Sequence, residues 1–448
     1  MTQSLDALTE ALLDAARAAG ADAADAIAVD GISVSVDVLN GKLEHAERAE
    51  GVDIGLRVLV GQRQANVSAS DVSPATIAAM AERAVAMAKE APDDASVGLA
   101  VPGELATAWD TDALELADPS AEPAPAALEE DARRAEAAAL GVGGVSQVQG
   151  TSAGYGRRRI WLAASNGFSG GYVRTDRAVS LAAISGTGAE MERDYNGEAR
   201  VFQADLPAPE EIGRIAGERA AARAGASQPP TGAWPVLFDE RVSASLIGHL
   251  LMAINGSSIV HGSSFLRDKL GEAVLPDGLS LVEDPHRPRI SGSRPFDAEG
   301  LATAPRRIID NGVLTGWTLD LATGRKLGMA STANAARSTS APPSPSVSNV
   351  ALTQGNITRD GLMAEMGTGL LVTSLIGSTV NPNTGDYSRG AAGFWIENGA
   401  ITRPVNECTI AGNLIDMLRR IVPANDAEPH KSRMVPSLLV EGLTIAGG

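Results

Sequence analysis

The sequence predicts an α+β protein: one or more N-terminal antiparallel sheets with covering helices, then a large, mostly β, barrel-like C-terminal domain with a few helices. Three observations carry this. Apolar and polar residues alternate at Ile32, Val34, Val36 and Val38, and again at Val52, Ile54, Leu56, Val58 and Val60, the pattern of half-buried strands. Asn-Gly and Asp-Gly pairs stand at 40–41, 166–167, 196–197, 255–256, 277–278, 311–312 and 398–399, where left-handed backbone can close a turn. Segments with helical period are few, and the C-terminal half is mostly β in pattern.

Each element follows from local chemistry. Residues 4–19 place Leu5, Leu8, Leu12, Ala15, Ala16 and Ala19 on one stripe ahead of Gly20, predicting an amphipathic helix. Ser73 and Pro74 offer an N-cap and a first-turn proline to a second helix with Ile77, Met80, Ala81, Ala84, Met87 and Ala88 on its apolar face. Residues 91–125 are rich in Pro, Asp and Ala without a period and read as a connector or a poorly packed excursion. A helix at 124–140 and strands near 144–154, 157–165, 171–187 and 198–204 predict a second antiparallel sheet. An Ala-rich helix over 207–226 ends at the linker SQPPTG. A short strand at 235–238 leads to Asp239, which can cap a helix carrying Val242, Leu246, His249, Leu250 and Ala253. The Ser/Pro-rich tract at 338–350 reads as an exposed loop. The expected units are 1–120, a middle helix and sheet unit at 121–226 that is free to merge with the first, and 232–448.

Composition narrows the function classes. A formal charge of −18 leaves no broad basic face for a phosphate backbone, so nucleic acid is not an expected partner. The single cysteine, Cys408, excludes an internal disulfide, and the first residues lack the basic and apolar regions of a signal peptide, so the expected compartment is the cytoplasm. The longest apolar runs are broken by Gly, Ser and Asp, and no membrane span is expected.

Chemical motifs are sparse. The five histidines, His45, His249, His261, His286 and His430, include no pair at the one-turn spacing of a helical zinc site. A non-local trio of His249, His261 and His286 is weighed against ordinary surface or core roles. Cys408 reads as a buried thiol. Gly150-Thr151-Ser152-Ala153-Gly154 matches a nucleophile-elbow pattern, yet the residues after it read as turn and strand where an elbow needs a helix. Asp386, Tyr387, Ser388 and Arg389 could bring an acid, a phenol, a hydroxyl and a guanidinium to one site. The alternative is that they serve the turn itself, through side-chain bonds to backbone and an ion pair of Arg389.

Longer blocks carry a resemblance. The stretches NGFSGGYVRT, FDERVSASLIGHLLMAINGSS, RRIIDNGVLTGWTLD and TGDYSRGAAGFWIENGAITRPVNECTIAGNLIDM resemble the TldD/PmbA family over almost the full length, on its PmbA-type (TldE-type) side. That resemblance implies a heterodimeric metalloprotease in which a TldD-type subunit carries HExxxH on a helix and a cysteine near its C-terminus as third zinc ligand. Here Gly248, His249 and Ala253 fall where the first His, the Glu and the second His would stand, and Cys408 lies upstream of the ligand cysteine. The resemblance therefore implies a subunit with no catalytic residue and no metal of its own, zinc being held by the TldD-type partner, and unfolded peptides as substrate. Asp386 to Arg389 are then expected at the chamber wall or interface. The competing expectation is a self-associating regulatory protein, homodimeric in isolation, in line with the family's label of gyrase modulator. A third is a serine hydrolase using Ser152.

Overall fold

The computed structural model describes residues 3–447. Its N-terminal half is one six-stranded antiparallel sheet, ordered β3-β2-β1-β4-β5-β6. The strands are β1 (Ala23–Leu39), β2 (Lys42–Val60), β3 (Arg63–Ala69), β4 (Val145–Ala164), β5 (Ser169–Ser185) and β6 (Glu192–Arg200). The expectation of a second sheet is corrected: β4 pairs with β1 from Asp25↔Ala164 to Val38↔Thr151. Strands near 144–154 and 157–165 are one continuous strand. Asn196-Gly197 lies inside β6 opposite Leu181 and Ser180 and makes no turn. Asn40 and Gly41, by contrast, turn the β1/β2 hairpin with φ of 54° and 68°.

Four helices cover one face of this sheet. α1 (Leu5–Ala18) and α2 (Pro74–Glu90) bury Leu8, Leu12, Ile77, Met80 and Ala84 against Ala24, Ala26, Ile54, Leu56 and Val58. α3 (Pro125–Leu140) and α4 (Pro209–Ala222) bury Leu128, Ala132, Ile212 and Ala216 against Val34, Val36, Val38, Val179 and Leu181. Residues 24, 26, 28, 34, 36 and 38 share one parity, so a single strand face serves both helix pairs. The connector at 91–125 is packed, contrary to expectation. Trp109 stacks edge-on against Phe296 at 4.9 Å, and Leu105 bridges to Leu301.

The C-terminal half closes a small barrel. β7 (Gly232–Phe238) runs parallel to β8 (Gly369–Val380), which continues antiparallel to β9 (Asp386–Glu397) and β10 (Ala400–Asn413). β11 (Leu438–Ala446) then pairs with both β10 and β7 and shuts the ring. Asn398 and Gly399 turn the β9/β10 hairpin at φ of 52° and 78°. Asn255 departs from its expected turn and N-caps a short helix, Gly256–Val260, through Ser257 N–H at 2.9 Å. The tract at 338–350 is no free loop. Ser344–Pro345 pairs with Ala335–Ala336, Val350–Leu352 joins a second sheet, and the Thr339 carbonyl accepts from Asn66 on β3 at 3.1 Å. Gly55 on β2 passes so close to Thr339 that a Cβ there would lie 2.2 Å from its carbonyl oxygen. Among the described residues no helix is long and apolar enough to cross a membrane.

Candidate functional site

Helix α5 (Glu240–Ala253) starts where Asp239, directly after β7, accepts the Arg241 N–H and ends the strand. Val242, Leu246, Ile247 and Leu250 are buried against the barrel. From the same helix His249 faces Tyr387 of barrel strand β9 edge-on, with ring centroids 5.9 Å apart. Period-two alternation puts Tyr387 and Arg389 on one face of β9 and Asp386 and Ser388 on the other.

The structure therefore divides the expected site residues. His249, Tyr387 and Arg389 come together. Asp386 instead accepts from Thr384 Oγ1 at 2.7 Å and Asn413 Nδ2 at 3.1 Å, which holds its carboxyl below the ordinary range. Arg389 donates through Nε to the Gly377 carbonyl at 2.7 Å, a backbone partner where an acid was expected. Gly248 lies against Arg433, whose Nη1 is 3.3 Å from the place a Cβ would take, and Ala253 is buried. Burial pushes the Tyr387 phenol up to about 12, with Arg389 pulling the other way, and its hydroxyl has no hydrogen-bond partner among the described residues. Burial, aided by Arg389, pulls the His249 imidazole below its ordinary pKa. Arg389 also lines a cavity of about 550 Å³ between β6, α5 and β8, with Arg193, Arg241, Ser245 and Ile376 on its wall.

A zinc ion takes three or four N, S or O ligands in tetrahedral array. One imidazole facing a phenol and a guanidinium does not fit it, and the fixed charge of Arg389 repels a cation. The histidine trio is not assembled: His261 Nδ1 meets the Ser257 carbonyl at 2.7 Å and His286 Nε2 meets Thr303 Oγ1 at 3.0 Å. Among the described residues one group of metal-capable side chains does converge, Glu198, Glu428 and His430, with ligand atoms within 4.8 Å of one another. Its carboxylates are already paired, Glu198 with Arg200 at 2.6 Å and Glu428 with Lys431. Sequence reasoning passed over this group because Glu198 lies far from Glu428 and His430 in the chain. Ser152 sits mid-strand in β4 and donates to Asp37, with no helix behind it, so the elbow reading is withdrawn. Cys408 is buried, donates to the Ala391 carbonyl at 3.2 Å, and is pushed by burial up to about 11.

This geometry can be set beside known proteins. Family models described as PmbA/TldA metallopeptidase domain 1, central domain and C-terminal domain match residues 24–88, 117–224 and 231–447. The metalloprotease PmbA of Escherichia coli O157:H7 is 37% identical over 420 residues, 92% of this chain and 90% of that protein. The chain belongs to the PmbA/TldD family. A solved structure from Bacteroides thetaiotaomicron, described as a candidate modulator of DNA gyrase, matches at TM-score 0.91 with 29% identity over 98% of each chain. The TldE structure from Thermococcus kodakarensis shares the fold at TM-score 0.85 and 22% identity, covering 98% of this chain and 100% of that one. As a family member, the chain combines an antiparallel N-terminal sheet with a C-terminal β-barrel.

Proposed function

We propose that this chain is the non-catalytic, metal-free PmbA/TldE-type subunit of a two-subunit peptidase, pairing with a zinc-bearing TldD-type subunit to enclose a chamber for unfolded peptides. The observation that carries this reading is the occupancy of α5. Where a metal-binding helix would present two imidazoles and a carboxylate, it offers Gly248, His249 and Ala253, and His249 is turned to Tyr387 and Arg389. That set lacks the second imidazole and the carboxylate that would hold the ion and deprotonate its water.

Two further features support a role in pairing and in holding peptide. Met252 on α5 and Ile376 beside the adjoining cavity stand 65% and 69% exposed, apolar surface suited to a partner subunit. The outer edge of β2 is also open: β3 pairs with it only from Ile54 onward, so residues 42–53 keep one unpaired row of backbone groups. Such an edge can take an extended peptide by main-chain pairing, which is tolerant of sequence. The chamber reading places the work, peptide degradation or maturation, in the cytoplasm.

The test is zinc content and peptidase activity of the purified chain, alone and mixed with a TldD-type subunit. The expected result is negligible zinc and no proteolysis alone, with activity on unfolded peptide only in the mixture. One equivalent of zinc and proteolysis by the isolated chain would overturn the proposal. The likeness to a structure described as a candidate gyrase modulator keeps a second reading, a self-associating regulator. A tight homodimer in sedimentation that ignores a TldD-type chain would favour it.

A further inference from the structure

The seam between the N-terminal sheet and the C-terminal half encloses a cavity of about 440 Å³, within the size range of small-ligand sites. Its two ends differ. One is apolar, with Ile27, Val29 and Ile160 of β1 and β4 facing Phe296. The other, further along the same sheet face, carries Arg158 and Arg174, with Arg294 from the C-terminal half, in a chain whose formal charge is −18.

These guanidiniums are poorly matched by acids. Arg174 donates to the carbonyls of Ser291 and Ser293, and Arg294 to those of Ala335 and Ser346. The Nε of Arg294 is buried without a partner among the described residues. Arg158 has an exposed side chain and, among the described residues, no ion pair. Three other charges at the cavity are already committed. Asp297 accepts the N–H groups of Glu299, Leu301 and Ala335, and Arg337 pairs with Asp25. Asp53, at the rim, accepts from Ser70. Burial pulls the Arg294 guanidinium below the usual arginine range, against the charges of Glu283 and Asp297. A buried, unmatched donor beside an apolar wall calls for an acceptor that is both anionic and apolar at its other end.

We propose that this cavity binds a carboxylate bearing a large apolar group, the carboxylate against Arg158 and Arg294 and the apolar group against Val29, Ile160 and Phe296. The same chemistry is offered by a free acid or by the C-terminal residue of a peptide, and the peptide source rests on the function proposed above.

Binding to the full-length chain, without any partner subunit, tests the cavity apart from peptidase function. Calorimetric titration would compare N-acetylphenylalanine, its amide, inorganic phosphate, and a tripeptide ending in phenylalanine with a free carboxylate. The expected result is saturable binding of the acid, about tenfold weaker for the amide, because a hydrogen bond to a charged group is lost. Arg294→Met should weaken the acid about tenfold. Arg158→Gln, at a side chain that holds nothing else in place, should weaken it severalfold with the thermal midpoint unchanged. Tripeptide binding as tight as the acid assigns the source to peptides; binding of the acid alone assigns it to free acids. Equal binding of acid and amide, no binding of either, phosphate binding as tightly as the acid, or unaltered affinity in a folded Arg158→Gln chain would overturn the proposal.

Discussion

The two faces of the six-stranded sheet are held in opposite ways. Under α1 and α2 the helix-covered face is apolar, Leu56 lying among Leu8, Leu12, Ile77 and Met80, while buried Arg177 pairs with Asp131 of α3 toward its other end. The seam face, one residue along the same strands, buries ions. Asp25 on β1 stands directly opposite Arg57 on β2, and both pair within the seam, Asp25 also with Arg337 from the C-terminal half. Apolar burial is non-directional and tolerates sliding, whereas a buried ion triad is satisfied in one arrangement only. The helix face stabilises the sheet; the seam face fixes how the C-terminal half registers on it.

The sharpest test removes the shared acid. Asp25→Ala would leave two guanidiniums buried without the carboxylate they share, at a cost of about 4 kcal/mol in denaturant unfolding. A loss under 1 kcal/mol would mean the seam is wet and the contrast false. On the other face, Leu56→Ala should cost about 3 kcal/mol through lost transfer energy and a cavity. Unlike Asp25→Ala, it should leave the pH profile of stability unchanged. Asp25 has its pKa lowered, Arg57 and Arg337 outweighing the opposing effect of burial, so its contribution is present above the unfolded value of 3.8 and fades as pH falls through the folded one.

A subtler signature, a change of slope with pH, comes from Glu299, also in the seam, whose carboxyl is pushed up to about 8 by burial and by Asp297. A raised acid binds its proton more tightly when folded. Its contribution is therefore complete below the unfolded value of 4.5 and is lost as pH rises toward about 8. Glu299→Gln should flatten the decline of the melting temperature across that window. An unchanged slope would show that Glu299 is solvated and the seam less dry than the helix face.

These contrasts also explain what could be read from the chain. Local signals were reliable: Ser73 does cap α2 through the Thr76 N–H, and Asn40-Gly41 and Asn398-Gly399 do turn hairpins. The same dipeptide misled at 196–197, where pairing of β6 with β5 overrides turn preference. The β1–β4 pairing and the Asp25–Arg337 contact, 312 residues apart, left no local trace. Of the candidate site, the helix with His249 was visible, whereas Tyr387 and Arg389 were read as part of a loop where the structure has the start of β9. Which side chains of the Asp386 to Arg389 run would face His249 was settled by the pleat of β9, once the start of that strand was fixed. The seam cavity was invisible, because its arginines sit in stretches that read as ordinary strand or loop.

The closing of the barrel by β11 has a consequence for synthesis. β7 is made early in its domain, yet one of its two neighbours, β11, is among the last strands to leave the ribosome. Until then β7 and β10 both present bare edges, open to any extended chain nearby. The strand that covers both edges is thus the last of the barrel strands in chain order.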